Sequence, residues 1–279
     1  MNSAIGQALR FCVFALILLS LAPLSYSAES DEVWLLQPIV QERATGLLKA
    51  YKKTGNSLKL FEIQEINNAG NFGKIIYYER QTSFSRQESG LWAIVGAGNF
   101  TSGAAAGFSQ TLSLCGLITL LTTTNSTTKL ETNTPIPFGK LFLPFGIRTS
   151  IGVGTRVRVA DLRTDYEDIC SPIPGTKFTY HIENEAQVKT TGLFGRSTQV
   201  SAKIDVLCQV SSSVVQAKEI NPGMRGDYLL VSCEGTAHSG QKSKTDYAFL
   251  IEPGVYLILS TGGGAQTTKV QYKTVDYSD

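Results

Sequence analysis

The chain has 279 residues, 42% of them hydrophobic, with 25 Lys+Arg against 23 Asp+Glu. So even a balance lacks the basic excess of a nucleic-acid binder, and no nucleic-acid partner is expected. The length suffices to bury a sizeable core in one large β domain or two smaller ones.

At the N-terminus a single Arg10 precedes an apolar run over 11–24 and the small residues Ser25, Ser27 and Ala28. The run is shorter than the roughly 20 residues a membrane-spanning helix needs, so 1–28 reads as a secretory signal peptide, with an uncleaved anchor as the rival. Its removal takes away Arg10 and no acid, leaving 24 basic residues (25 less one) against 23 acidic ones. It also takes away Cys12 and leaves Cys115, Cys170, Cys208 and Cys233, an even number in a chain addressed to an oxidising compartment.

Residues 38–53 predict an amphipathic helix, with Val40, Ala44, Leu47, Leu48 and Tyr51 on one stripe and Pro38 in the first turn. Packing against a sheet is the expected role of that stripe, and a partner-binding helix is the alternative. Residues 58–63 and 74–79 form a predicted hairpin around Asn67, Asn68, Gly70, Asn71 and Gly73.

The oddest composition follows. From 89 to 128 there is no charged residue, and Gly, Ala, Ser and Thr fill the spaces between apolar groups. Three readings compete: strands covered on both faces, where glycine lets backbones approach closely; pore-lining strands inserted in a membrane; and a surface patch, drawn from Trp92, Phe100 and Phe108, that docks a partner. The first is preferred.

Three prolines within 135–144 exclude a central strand there. Alternation returns over 147–161, where Ile151, Val153, Val157 and Val159 share one face and Arg148, Arg156 and Arg158 the other. That arginine row, with Trp92, is the candidate ligand-binding set, since guanidinium groups suit an anionic ligand; a solvated sheet face explains the row equally well. The acidic cluster of Asp161, Asp165, Glu167 and Asp168 could pair with the arginines, and it lacks the spacing of a calcium loop.

Further alternating strands run over 178–188, 200–210 and 228–233, then 247–251 and 255–259 joined by the Pro253-Gly254 turn. Cys208 falls at an inward position of its run and Cys233 at an inward position of the next. Four cysteines allow three connectivities; these positions favour Cys208 with Cys233, which leaves Cys115 with Cys170, and buried free thiols at the latter two are the rival.

Little chemistry is suggested. The only histidines are His181 and His238, and no zinc-ligand spacing is present, so no metal or cofactor is expected. Gly107-Phe108-Ser109-Gln110-Thr111 lacks the final glycine of a nucleophile elbow, and Gly262 to Gly264 lack the Lys-Ser/Thr of a phosphate loop. No catalytic residue is assigned.

The expected fold is mainly β: an antiparallel sandwich or barrel-like set of sheets with one N-terminal amphipathic helix, stapled by disulfides. Residues 29–140 and 141–279 form two regions or one continuous domain. The expected role is an exported binding or structural protein, secreted or periplasmic in a bacterial envelope, whose partner is a protein, a glycan or an envelope component. A membrane-interacting or pore-forming protein using 89–128 is the alternative, and a hydrolase with an unrecognised site the second.

Overall fold

The computed structural model describes residues 36–48, 57–68, 75–100, 105–132, 136–138, 141–143, 147–191, 196–264 and 266–278. Residues 1–28, read from the sequence as a signal peptide, and the end of the predicted helix beyond Leu48 lie outside them. The helix itself, α1 (Pro38–Gly46), carries Pro38 in its first turn and buries Val40 and Ala44, followed by buried Leu48.

Period-two alternation makes strands, and here they close on themselves. Taken in chain order they are β1 (Ser57–Asn68), β2 (Ile75–Arg86), β3 (Trp92–Phe100), β4 (Ala105–Leu114), β5 (Ile118–Thr132), β6 (Ile136–Phe138), β7 (Leu141–Leu143) and β8 (Ile147–Thr164). They continue as β9 (Lys177–Thr191), β10 (Ser197–Gln216), β11 (Asp227–Ala237), β12 (Lys242–Leu250), β13 (Val255–Gly263) and β14 (Gln266–Ser278). Twelve of them form one closed antiparallel barrel in which each strand pairs with its chain neighbours and β14 returns to β1. The described residues of the proline-rich stretch form the separate β6–β7 ribbon, and β5 pairs directly with β8 across it. The architecture is thus a barrel and not a sandwich, and its strands come from both sides of residue 140.

Along β10 the inward residues Val206, Cys208 and Val210 are buried while Leu207 and Gln209 are exposed, and the register carries this parity across to Tyr180 and Phe178 on β9 and to Val231 and Cys233 on β11. One end of the interior is therefore apolar. Leu58, Trp92, Leu114, Leu162, Phe178 and Tyr256 fill it together with the buried face of α1. Arg43 of α1 reaches Asp161 and donates to the Leu162 carbonyl at 3.2 Å, fixing the helix against β8. Burial opposes ionisation of Asp161, but hydrogen bonds and charge from Arg43 and Arg163 outweigh it and hold its carboxyl below the usual range.

Loops cross this closed end and finish a seam. β13 and β14 share only the four pairs from Ser260↔Lys269 to Gly263↔Gln266. Below them the Tyr256 N–H donates to the Cys115 carbonyl at 2.8 Å, and its hydroxyl donates to the Ile169 carbonyl at 2.8 Å. On the other side of the gap Asn221 donates through Nδ2 to the carbonyls of Tyr272 and Lys273, at 2.7 and 3.2 Å, and accepts from the Gly223 N–H at 2.7 Å. The Tyr272 hydroxyl spans the gap to the Ile258 carbonyl at 2.7 Å. Covering both faces here explains why Ala248, Phe249 and Leu250 are all buried and alternation stops. Replacing Asn221 with alanine strips β14 of these bonds and should cost about 2 kcal/mol, read from the urea midpoint; an unchanged midpoint would show that water satisfies the seam as well.

The disulfides Cys115–Cys170 and Cys208–Cys233 are both formed. The first ties the β4–β5 turn to the β8–β9 loop over the closed end, and the second joins directly opposed residues of β10 and β11. Both are consistent with an oxidising environment, extracellular or periplasmic. Among the described residues no helix is long and apolar enough to cross a membrane.

Candidate functional site

Above the apolar end the interior turns polar. The parity that buries Leu58 and Leu60 on β1 also turns Glu62 inward, and the parity of Phe84 on β2 does the same for Thr82, Arg80 and Tyr78. Glu62 lies opposite Arg80 in the register, with Arg80 Nε 3.6 Å from Glu62 Oε1. The Thr82 hydroxyl donates to the same Glu62 oxygen at 2.9 Å, and Arg80 Nη2 donates to Ser109 Oγ at 2.7 Å.

This cluster accounts for the small residues of β3. Arg80 lies flat across Gly96, where a Cβ would sit 2.2 Å from Nε and Nη2. Tyr78 lies across Gly98, where a Cβ would come within 2.6 Å of its hydroxyl and 2.5 Å of the Glu79 carbonyl oxygen. The described residues of segment 89–128 thus supply β3, β4, most of β5 and the turn between β4 and β5: the inner face is cut back for side chains reaching over from β2, and the outer face shows Val95 and Phe108, 37% and 41% exposed.

Hydroxyl groups line the neighbouring interior. Thr111 and Thr122 are 2.7 Å apart, Thr245 donates to Thr261 at 3.2 Å, and Ser126 donates to the Val153 carbonyl at 3.4 Å. Inward-facing Asn184 on β9 has a buried Oδ1 with no hydrogen-bond partner among the described residues.

Burial pushes the Glu62 carboxyl above 4.5, its ordinary value, against the opposing charge of Arg80 and the hydrogen bonds from Thr82 and Gln64. Burial likewise raises the Tyr78 and Tyr272 phenols. Between 4.5 and its folded pKa, Glu62 holds a proton in the folded state that the unfolded chain has released. Its contribution to stability therefore falls as pH rises through that window and levels off above it. The free-energy difference between wild type and Glu62→Gln, measured by urea unfolding from pH 4.5 to neutrality, is expected to move against the wild type with rising pH; a difference independent of pH would show that Glu62 is not desolvated.

The sequence-predicted binding residues lie elsewhere and are not brought together. Trp92 is only 1% exposed and faces inward at the closed end, opposite Ser113. Arg156 and Arg158 are on the outer face; Arg158 donates to Glu185 Oε2 from both Nε and Nη2 at 2.8 Å, and Arg156 is exposed. Arg148 stands opposite Glu131 in the β5–β8 register, and its side chain lies outside the described residues. Within the acidic cluster Asp161 pairs with Arg43 and Arg163, and Asp165 accepts from the Thr179 N–H at 2.8 Å.

The two histidines converge on one carboxylate outside the barrel. His181 Nδ1 is 2.7 Å from Asp205 Oδ1 and His238 Nε2 is 3.8 Å from Asp205 Oδ2, beside a groove of about 640 Å³ lined also by Arg163, Asp165 and Glu234. Ser109 faces the interior, so the barrel wall separates it from both histidines. Among the described residues no group of three or more metal-ligating side chains is placed to hold an ion.

Compared with protein-family models, curated proteins and solved structures, the chain matches none. The reading of the site thus rests on its geometry. Glu62 and Arg80 were missed at the sequence level, although a signal existed: both are charged residues at core parity, in register with Leu60 and Phe84.

Proposed function

We propose that this chain is an exported binding protein, without a catalytic centre of its own, that seats a small ligand inside the barrel above the apolar end. The observation that carries the reading is the Glu62–Arg80 pair, held inside among hydroxyl groups with glycines cut to fit it. Enclosed ion pairs add little net stability over well-packed apolar groups, so their retention favours a role in recognition.

The outer face argues against the pore-forming alternative. A membrane barrel presents an apolar band to lipid, whereas exposed Lys203, Asp205, Glu234, Lys244 and Lys269 stand on this wall. The observation that still favours a membrane or partner contact is the outer face of β3, β4 and β5 as far as Thr127, which carries no charged residue and exposes Val95 and Phe108. A hydrolase built on His181 and Asp205 has little support: among the described residues neither histidine hydrogen-bonds a hydroxyl, and the Thr164 hydroxyl in that groove donates to the Thr179 carbonyl at 2.8 Å.

Native mass spectrometry of the mature protein, secreted by its own host, tests the reading. A retained small molecule that disappears when Thr124, on the inner face, becomes tryptophan supports an interior seat. Retention by that variant moves the seat outside, and leakage of liposomes by wild-type protein returns the membrane alternative.

A further inference from the structure

We infer that the interior seat recognises a carboxylate-bearing small molecule, and that Arg80 is the side chain that anchors it. This rests on the interior-seat reading and adds the charge of the ligand.

Arg80 is the accessible member of the pair: its side chain is 24% exposed and that of Glu62 only 9%. A ligand inside the barrel thus meets the cation first, with the anion behind it. The guanidinium is also not used up. Its Nε stands 3.6 Å from Glu62, beyond hydrogen-bond length, and among the described residues its one hydrogen bond is from Nη2 to Ser109 at 2.7 Å. The planar fork that matches a carboxylate through two parallel bonds is therefore not engaged by Glu62, whose Oε1 already accepts from Thr82.

The seat is fixed in advance. Gly96 and Gly98 let Arg80 and Tyr78 lie against the wall, so little ordering remains when a ligand arrives. Charge points the same way: a cation would meet the Arg80 guanidinium first and be repelled, and a neutral ligand would leave the fork unmatched.

The test is calorimetric titration of the mature, disulfide-intact protein with benzoate and with benzamide, its uncharged counterpart. Benzoate is expected to bind and benzamide to bind at least about tenfold more weakly, as loss of a charged hydrogen-bond pair implies. Arg80→Gln should lose benzoate binding. Arg80→Lys, which keeps the charge without the fork, should weaken it, and Glu62→Gln, which removes the competing anion, should strengthen it about tenfold. Near-UV circular dichroism checks that each variant is folded; if Arg80→Gln is not, the Arg80→Lys and Glu62→Gln pair decides. Equal binding of benzoate and benzamide, both lost in Thr124→Trp, overturns the carboxylate inference and keeps the interior seat. Failure of benzoate to bind at millimolar concentration overturns the inference, and the retained mass found by native spectrometry then decides the seat separately.

Discussion

Gly98→Ala is expected to lower stability by about 3 kcal/mol, the upper range for forcing a methyl group into a filled interior. The Cβ would lie 2.5 Å from the Glu79 carbonyl oxygen, which belongs to the backbone of β2 and cannot move without parting the β2–β3 ladder. Gly96→Ala provides the internal comparison. The three atoms nearest its Cβ all belong to the end of Arg80, which can swing away, so the expected cost is the loss of the Ser109 hydrogen bond and of the Glu62 pairing, about 1 to 2 kcal/mol. A double-mutant cycle with Arg80→Met separates the two. In the Arg80→Met background the cost of Gly96→Ala should nearly vanish while that of Gly98→Ala persists, both read from urea midpoints. Equal costs in both backgrounds would mean that the glycines serve backbone geometry and not the seating of Arg80.

The same residues show where the sequence could and could not be read. Alternation over 200–210 placed Val206, Cys208 and Val210 inward, so the strand faces were legible from period two; two inward cysteines on consecutive runs favoured the Cys208–Cys233 bridge, and the register pairs them directly. Closure was not, because it depends on β1 meeting β14, as in Leu60 opposite Val275, and period two says which face a residue takes but never which strand it meets. The face of position 92 was not legible for a related reason. Trp92 shares parity with Gly96 and Gly98, which line the interior, but the absence of charge in this segment hid which face was which. Arg158 was legible as an outer-face residue, yet its Glu185 partner, 27 positions away, could be found only from the β8–β9 register. The interior pair was within reach: Glu62 follows Leu58 and Leu60 at spacing two, and a charge that continues an apolar parity marks either the end of the buried zone or a polar site inside it. Only the packing of Arg80 over Gly96 decides between these.

Removing the Cys115–Cys170 bridge by replacing both cysteines with alanine should cost about 4 kcal/mol, as closure of a loop of this length implies, and it should cost more than removing Cys208–Cys233. The separations are 55 and 25 residues, and the shorter bridge joins strands that their ladder already holds together, whereas the longer one joins two loops across the closed end. The first replacement carries a second expense. Cys115 has φ of 45°, in the left-handed region where a side chain is strained, and its carbonyl accepts from Tyr256 at the seam. The bridge helps hold that conformation, and alanine at 115 inherits the strain without the bridge. Glycine at 115, with alanine at 170, should therefore recover about 1 kcal/mol over the double alanine variant, because glycine adopts this φ without penalty. Urea unfolding of the three variants checks the order, with Cys208→Ala/Cys233→Ala as the reference. If glycine at 115 proves no better than alanine, the turn relaxes once the bridge is gone, and Tyr256 should then lose its partner and its amide exchange faster.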